Sequence, residues 1–132
     1  DACSAVNREI FIKLNGYDQK DLLTNEDMYY AHKIIMNGHA LHYCAQSVVQ
    51  HYHQLSLKEL YKRNYAVGTF FANNTQFDQY SAGKEGLKLA LYIATNALVR
   101  LDFITLIKLI PNLLARLKGK NAGYKETKKG DK

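Results

Sequence analysis

The fold of this chain is predicted chiefly from residues 25–53, which read NEDMYYAHKIIMNGHALHYCAQSVVQHYH. Thr24 or Asn25 can cap a helix here, since the apolar residues that follow recur at helical spacing until an asparagine–glycine pair supplies the stop. Residues 40–44 and 47–51 come next and have the short, β-branched character of strands. The stretch therefore predicts a helix followed by two short strands, an α/β arrangement.

Helical patterns flank this stretch on both sides. Residues 7–14 have an apolar stripe that ends at an asparagine–glycine pair, and glycine accepts the left-handed conformation that closes a helix. Ser56 and Glu59 have the spacing of a capping box, which predicts a further helix starting there. From residue 84 to 118, leucine and isoleucine dominate at helical spacing, and Pro111 divides this segment or opens a second helix.

These patterns divide the chain into three segments. Residues 1–80 are expected to form the main α/β part, 81–118 an extension of amphipathic helices, and 119–132 a flexible basic tail. The net charge is +6, and six lysines against two acids between residues 118 and 132 supply four of the excess charges. The apolar stripes of the extension are typical of core packing, with an interfacial membrane helix as the alternative. One such stripe contains Leu87, Leu91, Ala94, Leu98 and Leu101.

Composition limits the class of protein. At 132 residues with 47% hydrophobic residues, the chain suits one modest domain or a piece of a larger one. Cys3 and Cys44 are too few for a disulfide framework, which favours a reducing, cytoplasmic setting. No charge-free apolar run is long enough to span a bilayer. The first residues contain neither an initiator methionine nor a signal-peptide pattern, so we expect the chain to begin inside a longer protein.

The acidic pair Glu26-Asp27 is the first candidate for chemistry. In the structural interpretation, both carboxylates only stabilise the start of a helix, where the dipole favours anions. In the functional interpretation, one of them points into a cleft and takes a proton from an acceptor hydroxyl, because a helix N-terminus keeps a carboxylate ionised and oriented for general-base catalysis. The residues alone leave both interpretations open.

The second candidate is His51-Tyr52-His53, at the end of the second predicted strand. Alternation places the two histidines on one face and the tyrosine on the other. Neutral imidazole is a common ligand for divalent transition metals, so one histidine can complete a site otherwise built from carboxylates. A pair of partly exposed histidines without a metal is the other interpretation. The sequence contains no Asp-x-Asp, HExxH or phosphate-binding glycine loop.

Three stretches in a fixed order add to these single motifs: SAVNREIFIKLNGYD (4–18), residues 25–53, and SLKELYKRNYAVGTFF (56–71). Their most specific feature is Asn25-Glu26-Asp27 opening a helix, with His-x-His following the predicted strands. Together they resemble the C-terminal half of family 2 glycosyltransferases, and most of all the bacterial rhamnosyltransferase-like group that builds surface polysaccharides. The resemblance covers residues 1–75 and continues more weakly towards the end of the chain.

The resemblance implies the C-terminal portion of a GT-A fold, an α/β sandwich that binds a nucleotide-diphosphate sugar through a divalent cation, manganese or magnesium. Asp27 would correspond to the base that deprotonates the acceptor hydroxyl, and Glu26 would help to shape the acceptor site. His51 would correspond to the histidine that joins Asp-x-Asp around the metal, with His53 as the alternative. Arg63 falls in a segment that lies near the donor pyrophosphate, and the transfer would invert the anomeric configuration.

The first half of that family, with its nucleotide-binding strands and Asp-x-Asp, is not in this sequence. We therefore expect the fragment alone to be inactive, the cation to bind only with the missing half, and exposed apolar surface to favour self-association. Expected partners of the longer protein are a nucleotide-diphosphate sugar and a glycan or lipid-linked acceptor, in the cytoplasm or on the inner face of the cell membrane. Nucleic acid is not expected, because the lysines are not interleaved with aromatic residues.

A different class of function remains open. The chain would then be a small basic helical module that binds an anionic membrane surface or a partner without catalysis. This alternative explains residues 84–132, but it gives Glu26-Asp27 and His51-Tyr52-His53 no role.

Overall fold

The chain folds into α-helices joined by turns. The computed structural model describes residues 4–18, 20, 22–50, 52, 54–80 and 83–130. Its helices are α1 (Arg8–Lys13), α2 (Glu26–Met36), α3 (Leu57–Asn73), α4 (Gly83–Val99) and α5 (Phe103–Gly130), with a 3-10 helix at Thr75–Tyr80. Two compact units divide the chain, the first at Asp1–Gln54 and the second at Leu55–Lys132.

The prediction of short strands is wrong for the residues that the structure describes. Residues 40–50, which contain the first predicted strand and most of the second, form a turn and irregular backbone without strand pairing. Their side chains are all exposed, including Val48 and Val49. Strands need neighbours to satisfy their backbone groups, and the described part of this chain supplies none. The observed fold is therefore helical, where an α/β fold was expected.

Helix α1 begins and ends where the sequence predicts. The Asn7 side chain accepts hydrogen bonds from the amides of Glu9 and Ile10, which satisfies two of the free N–H groups at the helix start. Past the end of the helix, Asn15 and Gly16 take positive φ angles of 57° and 47°. A Cβ at Gly16 would lie 2.7 Å from the Phe11 ring, so the turn requires glycine for both conformation and space.

The core of the first unit is an aromatic cluster beneath α2. Tyr30 and Ile34, one helical turn apart, are the buried residues of this helix. The ring of Tyr30 lies 5.1 Å from that of Phe11 and 5.6 Å from that of Tyr17, in the tilted and edge-on arrangements that aromatic pairs prefer. This packing fixes α2 against α1 and the intervening turn.

The second unit is built on α3 and α5. The predicted capping box is confirmed: the Ser56 side chain accepts the Glu59 amide, and the Glu59 carboxylate accepts the Ser56 amide at 2.8 Å. Phe70 and Phe77 stack with ring centroids 5.5 Å apart, and Phe77 is fully buried. The segment after α3 thus contributes the centre of this core through a 3-10 helix.

Three glycines let α3 and α5 approach at backbone distance. A Cβ on Gly68 would lie 2.1 Å from the carbonyl oxygen of Lys120, and one on Gly123 would lie 2.1 Å from that of Tyr65. At Gly119 the nearest backbone oxygen, on Tyr61, would be 2.4 Å away. No side chain larger than hydrogen fits at these positions, so the glycines determine how closely the two helices pack.

The C-terminal residues differ from the flexible tail expected at 119–132, because α5 continues as a helix to Gly130. Glu126 accepts a hydrogen bond from the Tyr65 hydroxyl at 2.7 Å, and the Lys120 ammonium lies over the Phe71 ring. These contacts tie the last turns to α3. Pro111 lies inside α5 and does not divide it. The two compact units divide the chain between residues 54 and 55, and the functional boundary expected at residue 80 stays a prediction.

Candidate active site

Asp27 lies in the first turn of α2, as the sequence predicts. Its side chain is exposed, and one carboxylate oxygen accepts the amide of Met28 at 2.7 Å. No second hydrogen bond to this carboxylate occurs among the described residues. One oxygen is thus held by the start of the helix, where the dipole favours the anion, while the other oxygen can receive a proton from outside.

Glu26, the neighbour of Asp27, lies in a different environment. It is half-buried and is engaged with other groups of the chain. Helical spacing places it on the side of α2 that carries Tyr30 and Lys33, which are four and seven residues further along. Of the two acids, Asp27 is therefore the one presented to an external molecule.

The start of α2 is shaped by Asn25 in a way that the sequence did not predict. Asn25 occupies the N-cap position but has a left-handed backbone, with φ at 60°, and its side chain makes no capping hydrogen bond. Instead, its side-chain oxygen accepts the Thr24 hydroxyl at 3.1 Å. The predicted side-chain cap is wrong, because the left-handed backbone turns the Asn25 side chain away from the helix amides.

A polar cluster between the turn after α1 and one face of α2 fixes the position of α2. The Tyr29 hydroxyl donates to the Asp18 carboxylate at 2.7 Å, and the Lys33 ammonium donates to the same carboxylate and to the carbonyl of Gly16. The bonds from Lys33 and then from Tyr29 hold the pKa of Asp18 below its ordinary value. This cluster joins the turn after α1 to one face of α2 and thereby positions the helix start that carries Asp27.

This cluster is not predicted from the sequence. The available signal was Tyr29 and Lys33 at a spacing of four, which places a phenol and an ammonium on one helix face. Their acceptor, Asp18, lies eleven and fifteen residues earlier in the chain. Helical spacing alone cannot predict such a partner.

His51 and His53 lie outside the described residues, so their assignment as metal ligands stays a prediction. Among the described residues, no three His, Cys, Asp or Glu side chains cluster in a way that could hold a metal ion. Donor groups for the expected cation are therefore not assembled in this part of the chain.

Arg63, the expected neighbour of the donor pyrophosphate, lies on α3 in the second unit. Its side chain is exposed, three residues after the buried Leu60. An exposed arginine on a firmly packed helix presents a planar set of donors to an anion. The assignment of Arg63 to the pyrophosphate stays a prediction.

Comparison with known proteins identifies the kind of enzyme to which this segment is similar. The chain is 36% identical over 87 residues to the O-antigen chain rhamnosyltransferase RfbN of Salmonella typhimurium, across 64% of the chain and 27% of the relative. This chain resembles a segment of a rhamnosyltransferase. The O-antigen chain rhamnosyltransferase WbaN of Salmonella anatum is 33% identical over 87 residues, with the same shares of both chains. No family model and no solved structure matches the chain.

The chain spans 27% of the length of these rhamnosyltransferases. The resemblance drawn from the sequence motifs is therefore confirmed as a partial similarity to O-antigen rhamnosyltransferases. Its placement in the C-terminal half, the GT-A fold and the roles of the individual residues remain predictions.

Proposed function

We propose that this chain is the acceptor-side part of an inverting glycosyltransferase, which moves a sugar from a nucleotide-diphosphate sugar to a hydroxyl of a growing bacterial surface polysaccharide. The similarity to two O-antigen rhamnosyltransferases carries the proposal and makes rhamnose the first sugar to test. The donor-binding half would lie elsewhere in a longer protein, so the 132 residues alone would be inactive. We place that protein in the cytoplasm, with access to a glycan or lipid-linked acceptor.

Asp27 is the general base in this proposal. Its free carboxylate oxygen takes the proton of the acceptor hydroxyl while the hydroxyl oxygen attacks the anomeric carbon. A bond forms between that oxygen and the sugar, the bond between the sugar and the diphosphate breaks, and the nucleoside diphosphate leaves with the electron pair. The amide of Met28 supports this role, because it fixes one carboxylate oxygen and leaves the other towards solvent.

The other candidate residues have supporting roles. Glu26, half-buried beside Asp27, would shape the acceptor side of the site. Arg63 would pair with the donor pyrophosphate, since guanidinium matches phosphate oxygens in two-point contacts. A divalent cation, manganese or magnesium, would supply charge neutralisation at the leaving diphosphate, and His51, or else His53, would be its ligand from this segment.

The experiment that tests the base assignment replaces Asp27 by Asn in the longer protein. Loss of a general base lowers the turnover number by about a hundredfold to ten-thousandfold, while the KM for the donor stays within twofold (roughly 0.4 kcal/mol, a small effect on this scale). The matched control is Asp78→Asn, the same change at an exposed acid of the 3-10 helix. If Asp27→Asn kept the wild-type turnover number, Asp27 would not be the general base.

A further inference from the structure

Helix α5 carries a long apolar surface that no described residue of the second unit covers. Five large apolar residues recur there at intervals of three and four, which places them on one face of the helix. Their side chains are between 48% and 73% exposed. We call this face the α5 stripe; it consists of Phe103, Ile107, Ile110, Leu114 and Leu117.

The preceding helix adds to the apolar surface of the second unit. Sequence periodicity predicts that Leu87, Leu91 and Leu98 pack in a core, but all three are exposed in the structure. The small residues Ala90 and Ala97 are buried instead. Within this chain, α4 therefore packs through its alanines and leaves its leucines outside.

Basic residues continue the α5 stripe towards the end of the helix. Lys118 lies four residues after Leu114, and Lys125 and Lys128 follow at seven and ten residues after Lys118, so helical spacing keeps them on the same side. All three side chains are exposed. One side of α5 thus changes from apolar to basic along its length.

The charge of the two units is strongly unequal. The second unit, residues 55–132, contains 14 lysines and arginines against six acids, a net charge of +8. The first unit, residues 1–54, contains four basic and six acidic residues, a net charge of −2. The exposed apolar surface therefore belongs to the part of the chain that attracts anions.

We propose that the α5 stripe and the lysines that continue it bind the surface of an anionic lipid bilayer. An apolar helix face beside lysines matches the interface of such a bilayer, where acyl chains lie beneath negative headgroups. No described helix is long and apolar enough to cross a membrane, so α5 would lie along the surface. A second copy is a poorer occupant, because it would bring another charge of +8 against the same face.

The proposal is independent of glycosyl transfer and is tested with the 132-residue chain and lipid vesicles. In flotation experiments, the chain binds vesicles of phosphatidylcholine mixed with phosphatidylglycerol, and it binds phosphatidylcholine alone more weakly. A double variant replaces two residues of the stripe, Ile107→Asp and Ile110→Asp. We expect the partition coefficient of the chain between water and vesicles to fall by roughly tenfold or more for each isoleucine removed from the lipid. The matched control is Leu23→Asp with Met36→Asp, at residues of the first unit that are 76% and 70% exposed; it binds like the unaltered chain.

The lysines have their own control. A triple variant removes the charges of these lysines: Lys118→Gln, Lys125→Gln and Lys128→Gln. We expect it to weaken binding to the anionic vesicles by about fivefold for each lysine. The control is a second triple variant at exposed positions outside the stripe: Lys13→Gln, Lys58→Gln and Lys62→Gln. It removes the same charge and should weaken binding to the anionic vesicles less. Equal losses in the two triple variants would show attraction to the net charge alone and would overturn the assignment to this surface.

A fluorescence measurement keeps the proposal falsifiable if the aspartate variants fold poorly. The chain has no tryptophan, so Ile107→Trp introduces a single probe whose emission shifts to shorter wavelength on anionic vesicles, while Met36→Trp does not respond. The proposal is overturned if neither probe shifts. It is also overturned if the chain dimerises without lipid and Ile107→Asp abolishes the dimer without changing vesicle binding, because the stripe would then be an interface between copies.

Discussion

Asp18 connects parts of the first unit that are distant in sequence. Its carboxylate accepts bonds from Tyr29 and Lys33, one turn apart on α2, and its own backbone has a positive φ of 57°. Aspartate is among the few residues that tolerate this backbone conformation and also offer a carboxylate. At the scale of single residues, Asp18 therefore fixes both the turn after α1 and the start of α2, where Asp27 lies.

Replacing Asp18 by Asn is expected to lower the stability of the first unit in a pH-dependent way. The folded-state pKa of Asp18 is lowered, so its contribution is fully present above the unfolded-state pKa of about 3.9 and is lost as the pH falls through the lower folded-state value. The difference in the free energy of unfolding between the unaltered chain and Asp18→Asn should thus shrink on acidification.

The measurement is urea unfolding followed by circular dichroism at neutral pH and at several acidic values. Asp78→Asn serves as the control, since it makes the same substitution at an exposed acid of the second unit. A stability loss in Asp18→Asn that is equal at neutral pH and at the acidic end of the series would contradict the role of the ionised carboxylate.

Among the helices and predicted strands, local sequence signals are sufficient to predict where helices begin and end. They are insufficient to predict which elements pair or pack together. The capping box at Ser56 and the helix stop at Asn15 follow from side chains within four residues, so the sequence predicts them correctly. The strands were predicted from β-branched Val48 and Val49, but strands depend on a distant partner that the described chain lacks. The close packing of α3 on α5 was missed, because Gly68 and Gly123 reveal their role only when the two helices meet.

Gly123→Ala tests how far that packing determines the stability of the second unit. The added methyl group would lie 2.1 Å from the Tyr65 carbonyl oxygen, so α3 and α5 must separate. We expect a loss of about 1–3 kcal/mol in the free energy of unfolding, as for other overpacked sites. The control is Gly86→Ala within α4, where a Cβ meets nothing within 4 Å. This substitution should raise stability by up to about 1 kcal/mol through helix propensity.

The comparison is made by urea unfolding of both variants beside the unaltered chain. A neutral Gly123→Ala would mean that α5 does not contact α3 at backbone distance. In that case the residues after 118 would behave as the free tail that their composition suggests.

For the molecule as a whole, composition and motif order are a better guide to the functional class than to the architecture. The motif Asn25-Glu26-Asp27 and its surroundings led to the rhamnosyltransferase group, and the similarity to two O-antigen rhamnosyltransferases agrees with that group. The α/β fold expected from the sequence is wrong for the described residues, which are helical, because β-branched residues do not by themselves supply a partner strand. The exposed leucines and isoleucines of α4 and α5 are the apolar surface that periodicity had assigned to a core.

The most direct test of the central claim is a crystal structure of the longer protein with a nucleoside diphosphate, manganese and an acceptor analogue. We expect the free oxygen of Asp27 to lie within hydrogen-bond distance of the acceptor hydroxyl, about 2.6–3.2 Å, with the Met28 amide still hydrogen-bonded to the other oxygen. His51, or His53, should lie on the same cleft as a ligand of the manganese ion. An Asp27 side chain on the face of the molecule opposite the nucleotide and the metal would contradict the assignment of this chain to the acceptor side of a glycosyltransferase.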